Sequence, residues 1–423
     1  MRAIFLCIGL FAVAGVVAAS AATREFDVTV AAGEHDRANS PVCVALDLPD
    51  GMANAKSVVL AGGDGKKIPG QLTGLGLLAT PASKAARPVN TRELHFILPD
   101  LKAGLTANFK ATVSTDVPPA TPVFAWHNTP GSCAELRFAD RPVMRYMYRA
   151  YDDSSSQSRE LTYKPYHHVF DPSGTRPVTK GPGGQDSHHR GLFYGFRLIT
   201  YDDGKMADVW HCLGDAHQSH AAFLSSEAGP VLGRHRVLIN WHGVGKEVFA
   251  REEREMTAYN VPGGILIEFA SRLRSTDGKI HLDGDPQHGG FHFRADNEVA
   301  RTTFNQTYFI RPDGIGKPGD TRNWPDNPTH VNLPWDAMSF VLGNHRYTAA
   351  ILDKPTNPKE ARDSERAYGR FGSYFVYDLE PGAALDVNYR VWLQDGPMTV
   401  PEVAEKSADF VEPVAVTCSE FRL

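Results

Sequence analysis

From Arg24 to about Val117, apolar and polar residues alternate in short runs: Phe26, Val28 and Val30; Val42, Val44 and Leu46; Leu94, Phe96 and Leu98; Phe109, Ala111 and Val113. Period-two alternation broken by glycine, aspartate and proline predicts antiparallel strands with one buried face, and so a small N-terminal β-sandwich over 24–117. Pro118-Pro119-Ala120-Thr121-Pro122 predicts a stiff link and a domain boundary. Beyond it the strand pattern resumes in Glu135–Phe138, Val237–Trp241, Ile265–Phe269, Tyr347–Leu352 and Leu385–Trp392. With helix predicted only at Pro401 to Asp409, the fold class is all-β. The second domain, 123–423, is expected to be a large antiparallel sandwich of the supersandwich kind that carries the site.

The first residues break this pattern. Met1-Arg2, an apolar run from Ile4 through Val17 and small residues from Ala18 to Ala22 have the layout of a secretory signal peptide over 1–21, cleaved after Ala21. The run is shorter than the roughly 20 residues a helix needs to cross a bilayer, so the expectation is a secreted or periplasmic protein without a membrane span. Forty-four Lys+Arg against 49 Asp+Glu leave a net charge of -5, which offers no basic face for nucleic acid. Cys43, Cys133, Cys212 and Cys418 are scattered without a C-x-x-C, and are expected to be buried free thiols.

The chemistry is concentrated between Tyr163 and Gly195, where two adjacent-histidine pairs lie among Tyr166, Asp171, Asp186 and Arg190. On regular strands His168 would share a face with Tyr166, and His188 with Arg190 and Asp186, so one histidine of each pair would face a cleft. The catalytic candidates are Tyr166, His168, His188, His189 and Arg190. The substrate-binding candidates are His167, Asp186, His288, Asn357, Arg366 and Tyr368. His281, His288 and His292 form a second group, and His211, His217 and His220 a third. No H-E-x-x-H is present and no metal ligand or cofactor is assigned, although imidazoles with Asp186, Asp283 or Asp285 leave a bound metal open. His217 and His220 read as solvated loop residues. Glu252, Glu253 and Glu255 read as a solvated, charge-paired strand face.

Tyr166-His167-His168 with Pro172 and Gly174, the block His188-His189-Arg190-Gly191-Leu192, Gly289-Gly290, and Ala350 through Pro355 with Asn357-Pro358 and Arg366-x-Tyr368-Gly369 together resemble the bacterial PmoA-like family of unknown function over about Pro142 to Gly396. That family often has D-H-P-H-H-R-G where this chain has Asp186-Ser187-His188-His189-Arg190-Gly191. The resemblance implies, by association, an exported protein working on carbohydrate. The leading expectation is a carbohydrate-active enzyme using His, Tyr and Arg acid-base chemistry on an oligo- or polysaccharide, a uronate-type lyase being favoured. His168 or His188 would be the base, Tyr166 the acid, and Arg190 or Arg366 the charge stabiliser. A glycoside hydrolase using Asp171, Asp186 or Asp353, and a non-catalytic glycan binder stacking sugars on Trp210, Trp241, Trp324 or Trp335, are the alternatives.

Overall fold

The computed structural model describes residues 22–79, 90–116, 123–285 and 287–420. The expected signal peptide and proline link lie outside the described residues. Strand dominates, at about 53% against 8% helix, and the sheets are antiparallel. The alternation seen in the sequence is the inward-outward alternation of the strands: Phe26, Val28 and Val30 are buried along Thr23–Ala31, and Leu94, Phe96 and Leu98 along Thr91–Leu101. These residues share one core within a seven-stranded sheet. Its last strand is Ala415–Glu420, paired along Thr23–Ala31. A segment assigned by sequence to the second domain therefore completes the N-terminal sheet, its partly buried Val416 and Cys418 packing on that core.

An eight-stranded and a nine-stranded sheet, drawn from the rest of the chain, pack over one large core. Leu136, Tyr194, Phe291 and Phe371 come from the smaller sheet, and Ile239, Trp241, Phe269 and Val391 from the larger. The helix Val400–Val411 covers the far face of the larger sheet with Val403 and Phe410. It starts at a capping box, Thr399 accepting from Glu402 N and Glu402 reaching back to Thr399 N. The far face of the eight-stranded sheet is covered by loops instead, and the site lies there. No helix among the described residues is long and apolar enough to cross a membrane.

Several expectations change. Glu252 and Arg254 are not solvated but fully buried, paired at 2.7 Å, with Trp241 Nε1 donating to Glu252. His217 is buried at the start of the strand His217–Ala228, between the rings of Tyr151 and His242. The four cysteines are free, but only Cys212 is buried.

Candidate functional site

The floor of the site is the outer face of the eight-stranded sheet. Along Gly289–Arg294, Phe291 and Phe293 point into the core, so His292 and Arg294 point out. On the neighbouring strand Arg370 lies opposite Arg294, and His292 lies opposite Gly372, where a Cβ would strike its ring. His292 Nε2–H donates to Gly289 O at 2.9 Å, so its Nδ1 accepts from Arg370 Nη1 at 3.1 Å. Both of its nitrogens are used, and this ring is a structural part of the floor.

Three loops stand over that floor, and each carries the same four-residue spacing. D-x-x-H occurs three times in the chain, as Asp186–His189, Asp208–His211 and Asp285–His288. All three turns converge. Asp208 caps its turn through Trp210 N and His211 N at 3.0 and 2.7 Å, and its other oxygen holds His211 Nδ1 at 2.8 Å. Asp285 repeats the arrangement, accepting from Gln287 N and from His288 Nδ1 at 2.5 Å. In the third turn His189 N donates to Asp186 O, and the Asp186 carboxylate lies 3.8 Å from His189 Nδ1. A carboxylate only accepts, so His211 and His288 carry their proton on Nδ1 and leave Nε2 free.

The rings of these histidines and of His188 meet over the floor. His188 lies 4.1 Å from His189 and 4.4 Å from His211 between ring centroids, and His211 lies 4.7 Å from His288. His188 Nε2 and both nitrogens of the buried His189 have no hydrogen-bond partner. Burial and nearby cations keep His188, His288 and His189 neutral: His188 is held down to about 2 and His288 to about 3, with Arg370 contributing to both, and His189 lies well below the ordinary histidine value. Burial also pushes Lys164 down to about 8 and Lys180 to about 7. Lys180 secures the loop by donating to the carbonyls of Gly181, Asp186 and His189 at 3.1–3.2 Å. At the rim, Tyr368 lies 6.3 Å from His189 between rings, and its hydroxyl accepts from Arg370 Nε at 3.3 Å.

The family is decided by a match over the domain that carries these loops. The family model for DUF6807, a family of unknown function, matches residues 133–408. The chain belongs to that family. Nothing in the DUF6807 match ties it to PmoA specifically. No curated protein matches the chain. Among solved structures it is similar to an alpha-mannosidase from Enterococcus faecalis V583 and to a protein in glycosyl hydrolase family 38 from Enterococcus faecalis, each at 9% identity and a TM-score of 0.44. These alignments cover 95% of this chain but 47% and 48% of the other two, so it spans about half their length.

Of the residues singled out in this DUF6807 chain, Asp186, His188, His189, His288 and Tyr368 come together. His188 and His189 both reach the cluster, because Gln185–His188 is a turn, with Asp186 at φ +51°, and the alternate-face rule applies only to strands. Tyr166 and His168 do share a face of Tyr166–Val169 and meet at 3.3 Å, but beneath Gly181 and away from the four rings. Burial pushes Tyr166 up to about 12 and His168 down to about 4.

His167 is not at a cleft. It faces the core, hydrogen-bonded to His235 at 2.9 Å and stacked on Tyr146. Arg190 is fully buried over the Tyr163 ring, tying the loop to the short helix Ser156–Thr162 through Glu160 O. Asn357 is a buried brace between Asp353 and the Asn388 backbone. Arg366 is half-buried, held by Asn323 Oδ1 and Glu365 O.

The alternatives lose support. Asp171 is used by Ser173, Thr175 and Arg176 N, and Asp353 by Asn357 and Lys359, so neither pairs with Asp186. Trp210, Trp241 and Trp335 are core residues, and Trp324 is covered by Arg362 at 4.1 Å. Asp208, and His211 as the partner of the other rings, were missed from sequence. The repeated D-x-x-H spacing was the signal available.

Potential metal ligands gather in three places among the described residues: His188, His189 and His288; Cys43, Glu93 and His95; and His330, Asp336 and Glu365. Glu93 is already paired with Arg234, and Glu365 with Arg311. The first set has no such cationic partner, and its nitrogens are neutral.

Proposed function

We propose that this protein is an exported carbohydrate-active enzyme that removes a proton from a sugar at the four-histidine site, with uronate-type elimination as the reaction. The observation that carries the reading is the Asp208–His211 pair at the rim. The carboxylate fixes the imidazole tautomer, so Nε2 presents a lone pair toward the opening and the ring gains a counter-charge when it takes up a proton. His211 is the base. Tyr368 is the acid, since its oxygen accepts from Arg370 and its own proton is left to donate. Arg366, half-buried beside it in sequence, is the group for the substrate carboxylate. The export and sugar parts rest on the leader-like first residues and on the family resemblance.

The test is mass spectrometry of products from a panel of uronate-rich and neutral glycans. Unsaturated fragments without added water, lost in His211→Ala and retained in His281→Ala, are expected. Fragments carrying one added water would replace elimination by hydrolysis.

A further inference from the structure

We infer that His188, His189 and His288 form a binding site for one first-row divalent transition metal ion, Zn2+ foremost, at the point where the D-x-x-H turns converge. The inference goes beyond the proposed reaction and does not rest on it. The three side chains place one nitrogen each within 4.8 Å of one another. Two features distinguish them from buried core histidines. His189 is about 1% exposed with both nitrogens unpartnered, and His188 Nε2 is unpartnered too, whereas His167 and His235 in the core each have a nitrogen in the hydrogen bond they share, although His235 Nδ1 is unpartnered as well. Leaving such buried groups unmet is unfavourable, and a shared cation would satisfy them.

The second feature is orientation. His288 gives its Nδ1 proton to Asp285, which is the carboxylate–histidine arrangement that turns a free nitrogen toward a metal and raises its basicity, while Asp186 stands 3.8 Å from His189 Nδ1 without a hydrogen bond to it. His211, held by Asp208, lies against both His188 and His288 and borders the fourth position. Nitrogen donors without thiolate select zinc or a neighbouring late transition ion over calcium or magnesium, which want oxygen. Metal–nitrogen bonds of about 2.1 Å require the rings to close by roughly 1 Å. The charge around the site is mixed: Asp186, Asp208 and Asp285 stand against Arg370, Arg294 and Arg197, the last of these paired with Asp285. Three protein nitrogens leave a coordination position for a water or a sugar oxygen.

The experiment uses the mature chain without a polyhistidine tag, stripped with chelator and titrated with Co2+ and then Zn2+. The expected result is about one equivalent of Co2+ with visible ligand-field absorption, displaced by Zn2+. His188→Ala with His288→Ala should abolish uptake, Asp285→Asn should weaken it about 10- to 100-fold, and His281→Ala should leave it unchanged. Uptake by the parent chain is read without any variant, so a misfolded double variant does not decide the matter. Less than a fifth of an equivalent on the parent, or binding that survives the double variant and is lost in Asp336→Asn, overturns the proposal.

Discussion

At the residue scale, hydrogen bonding separates the histidines of the site from those of the core. His167, His292 and His211 are all half of a defined pair, but only His211 is paired through Nδ1 to a carboxylate with its other nitrogen directed outward. Asp208→Asn would keep the shape and present an amide in place of the acceptor that fixes the tautomer. The expected result is a fall in kcat of about 10²- to 10⁴-fold with KM little changed, and a melting temperature within a degree or two of the parent. Asp336 gives a second prediction. It is buried with both oxygens unpartnered, and burial with Glu365 and Asp363 nearby raises it well above the ordinary aspartate value. A raised carboxyl favours folding below its unfolded value near 4, and that contribution is lost as pH rises. Asp336→Asn should therefore raise the melting temperature at pH 7, with the gain shrinking as pH falls toward about 4 and no pH-dependent part left below that.

At the element scale, strands were legible because burial on a sheet imposes a period of two, and one face of Thr23–Ala31 or Thr91–Leu101 can be read from its own residues. Turns obey no such period. Gln185–His188 could not be aimed from sequence, and the pairing of Asp208 with a ring that meets His188 depends on three loops separated by many residues. What could be read was a local rule, aspartate capping its own turn and holding the histidine three positions on. The loop is closed by Gly191, at φ +52°, where a Cβ would collide with the His167 carbonyl. Gly191→Ala should lower stability by about 1–3 kcal/mol in urea unfolding, and should loosen His188 and His189 together. A variant as stable as the parent would show that the loop can move aside.

At the scale of the whole molecule, burial of neutral imidazoles makes the fold sensitive to acid. Away from the proposed metal ligands, His168 and His217 are held down to about 4 and His235 to about 3, all chiefly by burial, and His167 lies well below the usual value. A lowered histidine contributes stability that is complete above its unfolded value near 6.5 and is lost as pH falls toward the folded value. Unfolding should therefore take up protons between pH 6.5 and 4, and stability should fall by about 1.4 kcal/mol per pH unit for each such group. Denaturant titrations at half-unit pH steps measure this, and a flat profile would mean that these rings are protonated in the fold. The all-β, antiparallel plan was legible in the chain. The exchange of Ala415–Glu420 into the first sheet was not, because strand partners are chosen by shape across the molecule and leave no mark in a short alternating run.

That exchange sets an order of events. Until residue 420 has left the ribosome, Thr23–Ala31 lacks one of its two neighbours and shows an open row of amides and carbonyls. The first strand to be made is thus among the last to be sealed. The six strands of the N-terminal sheet other than Ala415–Glu420 pair among themselves, so what waits on the slow, long-range closure is the sealing of this one edge.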